Sequence, residues 1–369
     1  MKDNTPISMR LCRLAILALL PVFISASGLS LPAQQTPSQQ QPPSPRLTPP
    51  SPFTEDRDPV RSPDSQTPAP PVVRKEPGGY VLHTEVDEVL LNCTVLEGTQ
   101  LVPGLKKENF RINEDGVDQT LISFQHSDLP VSIALVVDNS GSMGSKRPSV
   151  NKSALDLIEA SNPQDEAFVV NFSDEAYIDQ DFTSDVNKLR DGLAHIESRG
   201  GTALRDAVIA SADKLVAEAK NPKQVIILIT DGDDNASTFD LEQTIRRVQQ
   251  LSGPVIYSIG LLFGDEDMSR AEAKHAHKAL ELLSTETGGV AFFPKNIEQI
   301  DQIAAEVARD IRNQYTLGYR STRPATEPGF RNVVVTAQAK GHAKLTVRTR
   351  TGYYPVARVA KKPPAAGKQ

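Results

Sequence analysis

Tryptophan is absent from this chain of 369 residues, and only two cysteines are present, Cys12 and Cys93. Basic residues are outnumbered, 40 Lys and Arg against 46 Asp and Glu for a net charge of -6. A nucleic-acid partner is not expected from that balance, since such domains show a basic patch. No Gly-x-x-x-x-Gly-Lys or Gly-x-Gly-x-x-Gly segment occurs, which leaves nucleotide binding without support. The Gly-x-Ser-x-Gly elbow of hydrolases is missing around Ser140 as well. His275 and His277 stand two residues apart in a predicted helix, hence on different faces, and no cysteine lies nearby to make a zinc site with them.

What the chain has in excess is proline, 28 residues, crowded near the N-terminus. Lys2, Arg10 and Arg13 precede the apolar stretch 14–24, and small residues follow at Ala26, Gly28 and Ala33. Residues 1–33 therefore read as a secretory signal peptide. The apolar stretch falls short of the roughly 20 residues needed to cross a bilayer, so no stable membrane span is expected after cleavage. Cleavage removes Cys12 and leaves Cys93 alone, so stability must come from packing rather than a disulfide. An exported protein of this kind fits the periplasm, the cell envelope or the outside of a bacterium. Residues 34–78, dominated by Pro, Ser, Gln and Thr, read as a disordered linker, either a spacer or a passive tail. Residues 356–369 read as a disordered, solvated end.

Between these ends the periodicity changes twice. Residues 79–128 suggest strands, with Glu114-Asp115-Gly116-Val117 as a hairpin turn signal. From 129 to 322 strands alternate with helices, the pattern of a doubly wound, mostly parallel α/β sheet. Its predicted strands are 131–137, 167–172, 225–230, 255–261 and 290–293, with 176–179 as a short antiparallel edge. The spacing of Leu204, Val208, Ala212 and Leu215 predicts a core-facing helix over 203–219, and Ile297 to Ile311 repeats the pattern. Residues 328–355 return to β alternation. The α/β unit is therefore expected to be inserted into a small β-rich domain whose halves are 79–128 and 328–355.

The chemistry concentrates at strand ends. Asp138-Asn139-Ser140-Gly141-Ser142 closes the apolar run 131–137, and Asp231-Gly232 closes the run 225–230. Thr202 follows Gly200-Gly201 on a separate loop. In an open parallel sheet, ligands bind beyond the carboxyl ends of the strands, where strand order reverses. Two carboxylates and three hydroxyls there would suit a hard divalent cation. Taken alone, Asp138 to Ser142 is equally a helix cap and turn. Asp233, Asp234 and Asn235 read as a solvated acidic turn in preference to a second ion site.

The set Asp138, Ser140, Ser142, Thr202 and Asp231 resembles the Asp-x-Ser-x-Ser, Thr, Asp pattern of the metal-ion-dependent adhesion site in von Willebrand factor type A domains. The likeness covers roughly 130–320. The flanks, among them Tyr315 to Tyr319 and Arg350 to Tyr354, resemble exported bacterial members of that family, typical of Acidobacteria. The resemblance implies a Rossmann-like fold, a bound Mg2+ or Mn2+, and a non-enzymatic binding module that grips a Glu or Asp of a partner protein through the ion. Two other readings stay open. One is a phosphatase-like metal-dependent hydrolase with Asp138 as nucleophile; the other is a structural envelope protein with a vestigial site.

Overall fold

The computed structural model describes residues 88–159, 162–195, 199–251, 253–264 and 268–355. The expected signal peptide, the Pro-rich linker, the start of the β-rich segment and the basic tail lie outside the described residues.

The first described elements are strands: β1 (Glu88–Glu97), β2 (Gln100–Leu101), β3 (Phe110–Glu114), β4 (Val117–Gln119) and β5 (Leu121–Gln125). β3 and β4 form the expected hairpin, with Glu114 opposite Val117 and both turn residues at positive φ, Asp115 at 50° and Gly116 at 86°. That is the turn whose twist matches flanking strands, and it favours an Asp-Gly pair because Gly carries no Cβ to clash.

The α/β part follows in chain order. It comprises β6 (Val131–Asp138), α1 (Arg147–Glu159), β7 (Glu166–Phe172), β8 (Ala176–Thr183), α2 (Val186–Leu193), α3 (Leu204–Glu218) and β9 (Lys223–Thr230). It continues through α4 (Leu241–Gln250), β10 (Val255–Gly260), α5 (Arg270–Thr287), β11 (Ala291–Phe292) and α6 (Ile300–Arg312). The six strands lie in the order β11-β10-β9-β6-β7-β8, all parallel except β8, which runs antiparallel to β7 at the edge. From β6 the chain builds outward through β7 and β8, then returns to lay β9, β10 and β11 on the other side. The order of strands therefore reverses between β6 and β9.

Both faces of this sheet are covered, which is why β6 is buried at all eight positions instead of alternating. Val131, Ile133, Leu135 and Val137 face one cluster with Val150 and Leu157 of α1, Leu189 of α2 and Val307 of α6. Ala134 and Val136 face the opposite cluster with Val208 and Leu215 of α3, Val248 of α4 and Leu280 of α5. Each large aliphatic side chain buried this way contributes roughly 1.5–3 kcal/mol, so apolar packing holds the strand ends in place.

The chain ends in β12 (Tyr315–Arg320), β13 (Arg331–Ala337), β14 (Leu345–Arg348) and β15 (Gly352–Tyr353). Two antiparallel sheets result, β14-β1-β12-β5 with β2 beside β1, and β15-β13-β3-β4. They share a core of Leu91, Cys93, Phe110, Ile112, Tyr315, Leu317, Val333 and Val335. Each sheet thus mixes strands from before and after the α/β part. One assignment differs from the expectation that the α/β unit runs to 322. Residues Tyr315–Arg320 pair with β1 and β5 and contribute Tyr315, Leu317 and Tyr319 to the shared core of the β sheets. The parallel layer closes with α6. Asp310 of α6 joins the two layers, accepting from Tyr257 Oη at 2.6 Å and pairing with Arg348 of β14.

Candidate metal centre

Parallel register places Val137 of β6 beside Ile229 of β9, so Asp138 and Thr230 leave the sheet side by side. Asp138 and Asp231 are both fully buried. One Asp138 oxygen accepts the Ser140 amide at 2.8 Å and the other accepts Thr230 Oγ1 at 2.5 Å. Ser140 Oγ lies 3.2 Å from Ser142 Oγ, and Ser142 Oγ donates to Asp231 Oδ1 at 2.8 Å. Ser140 precedes a short 3-10 turn, Gly141–Met143, but its side chain makes no capping hydrogen bond. Its hydroxyl is turned toward Ser142 instead.

Thr202 arrives on a loop that the backbone straps across the ends of β6 and β7. Arg199 N donates to Asn139 O at 3.2 Å and Ala203 N to Ser173 O at 2.6 Å. Gly200 sits at φ 82°, and a Cβ there would run into the Asp174 carboxylate. A Cβ at Gly201 would fall 2.6 Å from Asn235 Oδ1. The two glycines let the loop press against its neighbours, and Asp174 Oδ1 accepts the Gly201 amide at 2.7 Å. Asn235 then clamps Thr202 from the β9 side: Thr202 N donates to Asn235 Oδ1 at 2.9 Å and Asn235 N to Thr202 O at 3.1 Å. Thr202 is buried, and a Cβ on Gly232, next to Asp231, would lie 3.6 Å from its Oγ1.

The turn after Asp231 has structural work that a solvated acidic turn would not. Asp234 accepts the Arg205 amide at 2.7 Å and pairs with the Arg205 guanidinium at 2.9 Å, which fastens the first turn of α3. Asp233 bonds His275 Nδ1 at 2.6 Å. Both histidines are exposed, with His277 stacked on Phe293 at 3.7 Å between ring centroids.

Charge at the site is unevenly met. Burial pushes the Asp138 carboxyl up to about 6, with hydrogen bonds from Thr230 and Ser140 opposing the shift and the charge of Asp231 adding to it. Asp231 is served by a cation: Lys146 Nζ stands 2.6 Å from its Oδ2. Lys146, Thr230 and Asn235 all act at this site, although only Asn235 drew notice in the sequence. Thr230 carried a usable signal, a hydroxyl residue at the end of the strand beside Asp138. Lys146 carried none, because a lysine ahead of a helix is ordinary surface composition.

The donors fit a small hard cation. Ligands at 2.0–2.1 Å around an octahedral ion stand about 2.9 Å from one another. The Ser140–Ser142 and Ser142–Asp231 oxygen pairs are 3.2 and 2.8 Å apart. Among the described residues, no group of three or more His, Cys, Asp and Glu side chains is placed to hold a metal. An ion at this rim would take hydroxyl as well as carboxylate oxygens, donors that suit a hard divalent cation.

Parts of this chain are similar to known proteins. The human inter-alpha-trypsin inhibitor heavy chain H4 is 28% identical over 225 residues, covering 55% of this chain and 23% of its own length. Its bovine counterpart is 26% identical over 183 residues, 45% of this chain and 18% of that protein. The chain thus spans under a quarter of these curated relatives. Among solved structures, a von Willebrand factor type A protein from Catenulispora acidiphila is similar over 72% of this chain and 74% of its own, at 13% identity and a TM-score of 0.43. Proximal thread matrix protein 1 from the mussel byssus, solved with a zinc-occupied adhesion-site motif, is similar over 55% of this chain and 50% of its own, at 19% identity and a TM-score of 0.40. The model of the von Willebrand factor type A domain matches residues 133–233, a stretch that holds Asp138, Ser140, Ser142, Thr202 and Asp231.

Proposed function

We propose that this chain is an exported, non-enzymatic binding module of the adhesion type, in which Asp138, Ser140, Ser142, Thr202 and Asp231 hold a magnesium or manganese ion that takes a Glu or Asp from a partner protein. The observation that carries this reading is the run of side-chain oxygens from Ser140 through Ser142 to Asp231, with Asp138 bonded to the Ser140 amide beside it, at the point of strand reversal. A bound cation supplies a charge-assisted contact for a carboxylate that approaches from solvent. The protein's own groups divide the labour. Asp138 and Asp231 are buried beneath the rim, Ser142 is exposed at it, and Thr202 is held from two sides by the Asn235 clamp and the Ser173 strap.

A hydrolytic role for Asp138 finds less support. Asp138 itself is fully buried and both its oxygens are already hydrogen-bonded, so neither is free to attack a substrate. The module's leader segment, as read from sequence, would take it into or beyond a bacterial envelope. Among the described residues, no helix is long and apolar enough to cross a membrane.

The test is capture of a partner from envelope extract on the immobilised protein, with magnesium and then with chelator. Retention in magnesium, release by chelator and no retention by Asp138→Ala are the expected results. A partner held equally well by all three would overturn the metal-bridged reading.

A further inference from the structure

Lys146 is the least ordinary residue of the site. It is 4% exposed, and its carbonyl accepts the first bond of α1, from Val150 N at 3.1 Å, so it caps the N-terminal end of that helix. A cation there opposes the helix dipole, whose N-terminal end is positive, and burial removes the water that would solvate it. The residue after it, Arg147, is a second buried cation in the same turn, bonded to Asn171 Oδ1 at 2.8 Å. Surface placement would avoid both costs. Lys146 instead directs its ammonium inward, 2.6 Å from Asp231 Oδ2 and 5.6 Å from the centre of the Phe263 ring.

We propose that Lys146 is a third charge of the metal centre, which weakens the hold on a divalent cation and leaves the loaded site with a net positive charge for an acidic partner. This rests on the metal-bridged reading above. Asp138 and Asp231 with Lys146 carry one net negative charge when both carboxylates are ionised, so a divalent cation leaves the centre one charge positive. With an uncharged side chain at position 146, the same ion would only neutralise two carboxylates. The loaded site would then offer a partner's Glu or Asp far less attraction. Conversely, an ammonium this close to a divalent ion repels it. At the effective dielectric of a partly buried site, that repulsion is large enough to lower affinity by at least about tenfold. The lysine also explains how two buried carboxylates coexist when no ion is bound: Asp231 already has a cation. Lys146 therefore trades grip on the metal for grip on the partner.

The experiment is a manganese titration of the full chain followed by electron paramagnetic resonance of the free ion, run on wild type, Lys146→Met, Lys146→Gln, Lys146→Arg and Asp138→Ala. Lys146→Met and Lys146→Gln are expected to bind manganese at least tenfold more tightly than wild type. Lys146→Arg, which keeps the charge, should stay within about threefold, well inside the change that losing a unit charge produces. Glutamine keeps a donor for Asp231, so it decides the question if the methionine variant does not fold. Wild-type binding that is lost in Asp138→Ala, together with equal or weaker binding by the neutral variants, would overturn the role of Lys146 while leaving the metal site standing. Failure of wild type itself to bind manganese would instead overturn the reading on which it rests.

Discussion

Two regions of this molecule bury carboxylates, and they do it differently. In the β sheets, Glu114 is almost fully buried and accepts from Tyr319 Oη at 2.6 Å, Tyr353 Oη at 3.0 Å and Ser321 Oγ at 2.5 Å, with the Arg331 guanidinium 3.7 Å away. Arg331 is enclosed in turn, donating to the carbonyls of Arg323 at 3.1 Å and Pro324 at 2.6 Å. The three hydroxyls and both terminal nitrogens of Arg331 reach acceptors within the same set. At the rim of the parallel sheet, two buried carboxylates have one ammonium, on Asp231, and three hydroxyls around them, and one of those hydroxyls, Ser142, stands at the surface. Burial of charge by itself therefore does not mark a functional site. What marks one is buried charge whose remaining lone pairs converge on an opening.

The contrast can be broken first on its structural side. Arg331→Ala strands Glu114 without its cation, and loss of one partner of a buried pair costs about 3–5 kcal/mol. Urea unfolding should show that loss, while magnesium affinity stays as in wild type. A variant with wild-type stability would mean that the Glu114 set is not the structural counterpart described here.

A somewhat smaller effect is expected at the rim, with the opposite sense. The Asp138 carboxyl lies at about 6 in the fold against 3.8 unfolded, so the native state holds its proton more tightly. Its contribution to stability is complete below about pH 4 and is lost as pH rises through 6, on the order of 3 kcal/mol in the metal-free protein. Asp138→Asn has no such titration. Without metal, wild type should lose stability relative to Asp138→Asn between pH 4 and 7, as followed by thermal unfolding in chelator. Parallel stability profiles for the two proteins would remove the electrostatic difference between the regions. The same proton competes with a cation, so magnesium affinity should fall about tenfold per unit of pH below 6.

The smallest effect sharpens the comparison without breaking it. Asn235→Ala removes the acceptor of the Thr202 amide, which should cost about 1 kcal/mol of stability and weaken magnesium binding several-fold. Unchanged affinity would show that Thr202 keeps its place without the clamp.

The sequence made some of this legible and hid the rest for definable reasons. The run from Val131 to Val137 announces a strand buried on both faces, and the polar residues at its end announce where that strand stops. Asp231 after 225–230 does the same, because parallel neighbours finish together. The Asp115-Gly116 turn is equally local. The placement of β12 was not legible, since Tyr315, Leu317 and Tyr319 alternate like any half-buried strand. The sheet they join is decided by Leu91 opposite Leu317 and by contacts more than 200 residues apart, such as Leu105 N to Tyr315 Oη at 3.0 Å. Asp234 looked like a solvated turn residue because its partner, Arg205, lies 29 residues earlier, in the first turn of α3. Lys146 was hidden most completely, since nothing in its neighbours records that its ammonium turns inward toward Asp231.

The most direct measurement is isothermal titration of magnesium into wild type, Asp138→Ala and Thr202→Ala. Saturable binding at one site per chain in wild type, abolished in Asp138→Ala and weakened in Thr202→Ala, is the expected result. Equal heats from the three proteins would contradict the existence of a cation site built from these residues.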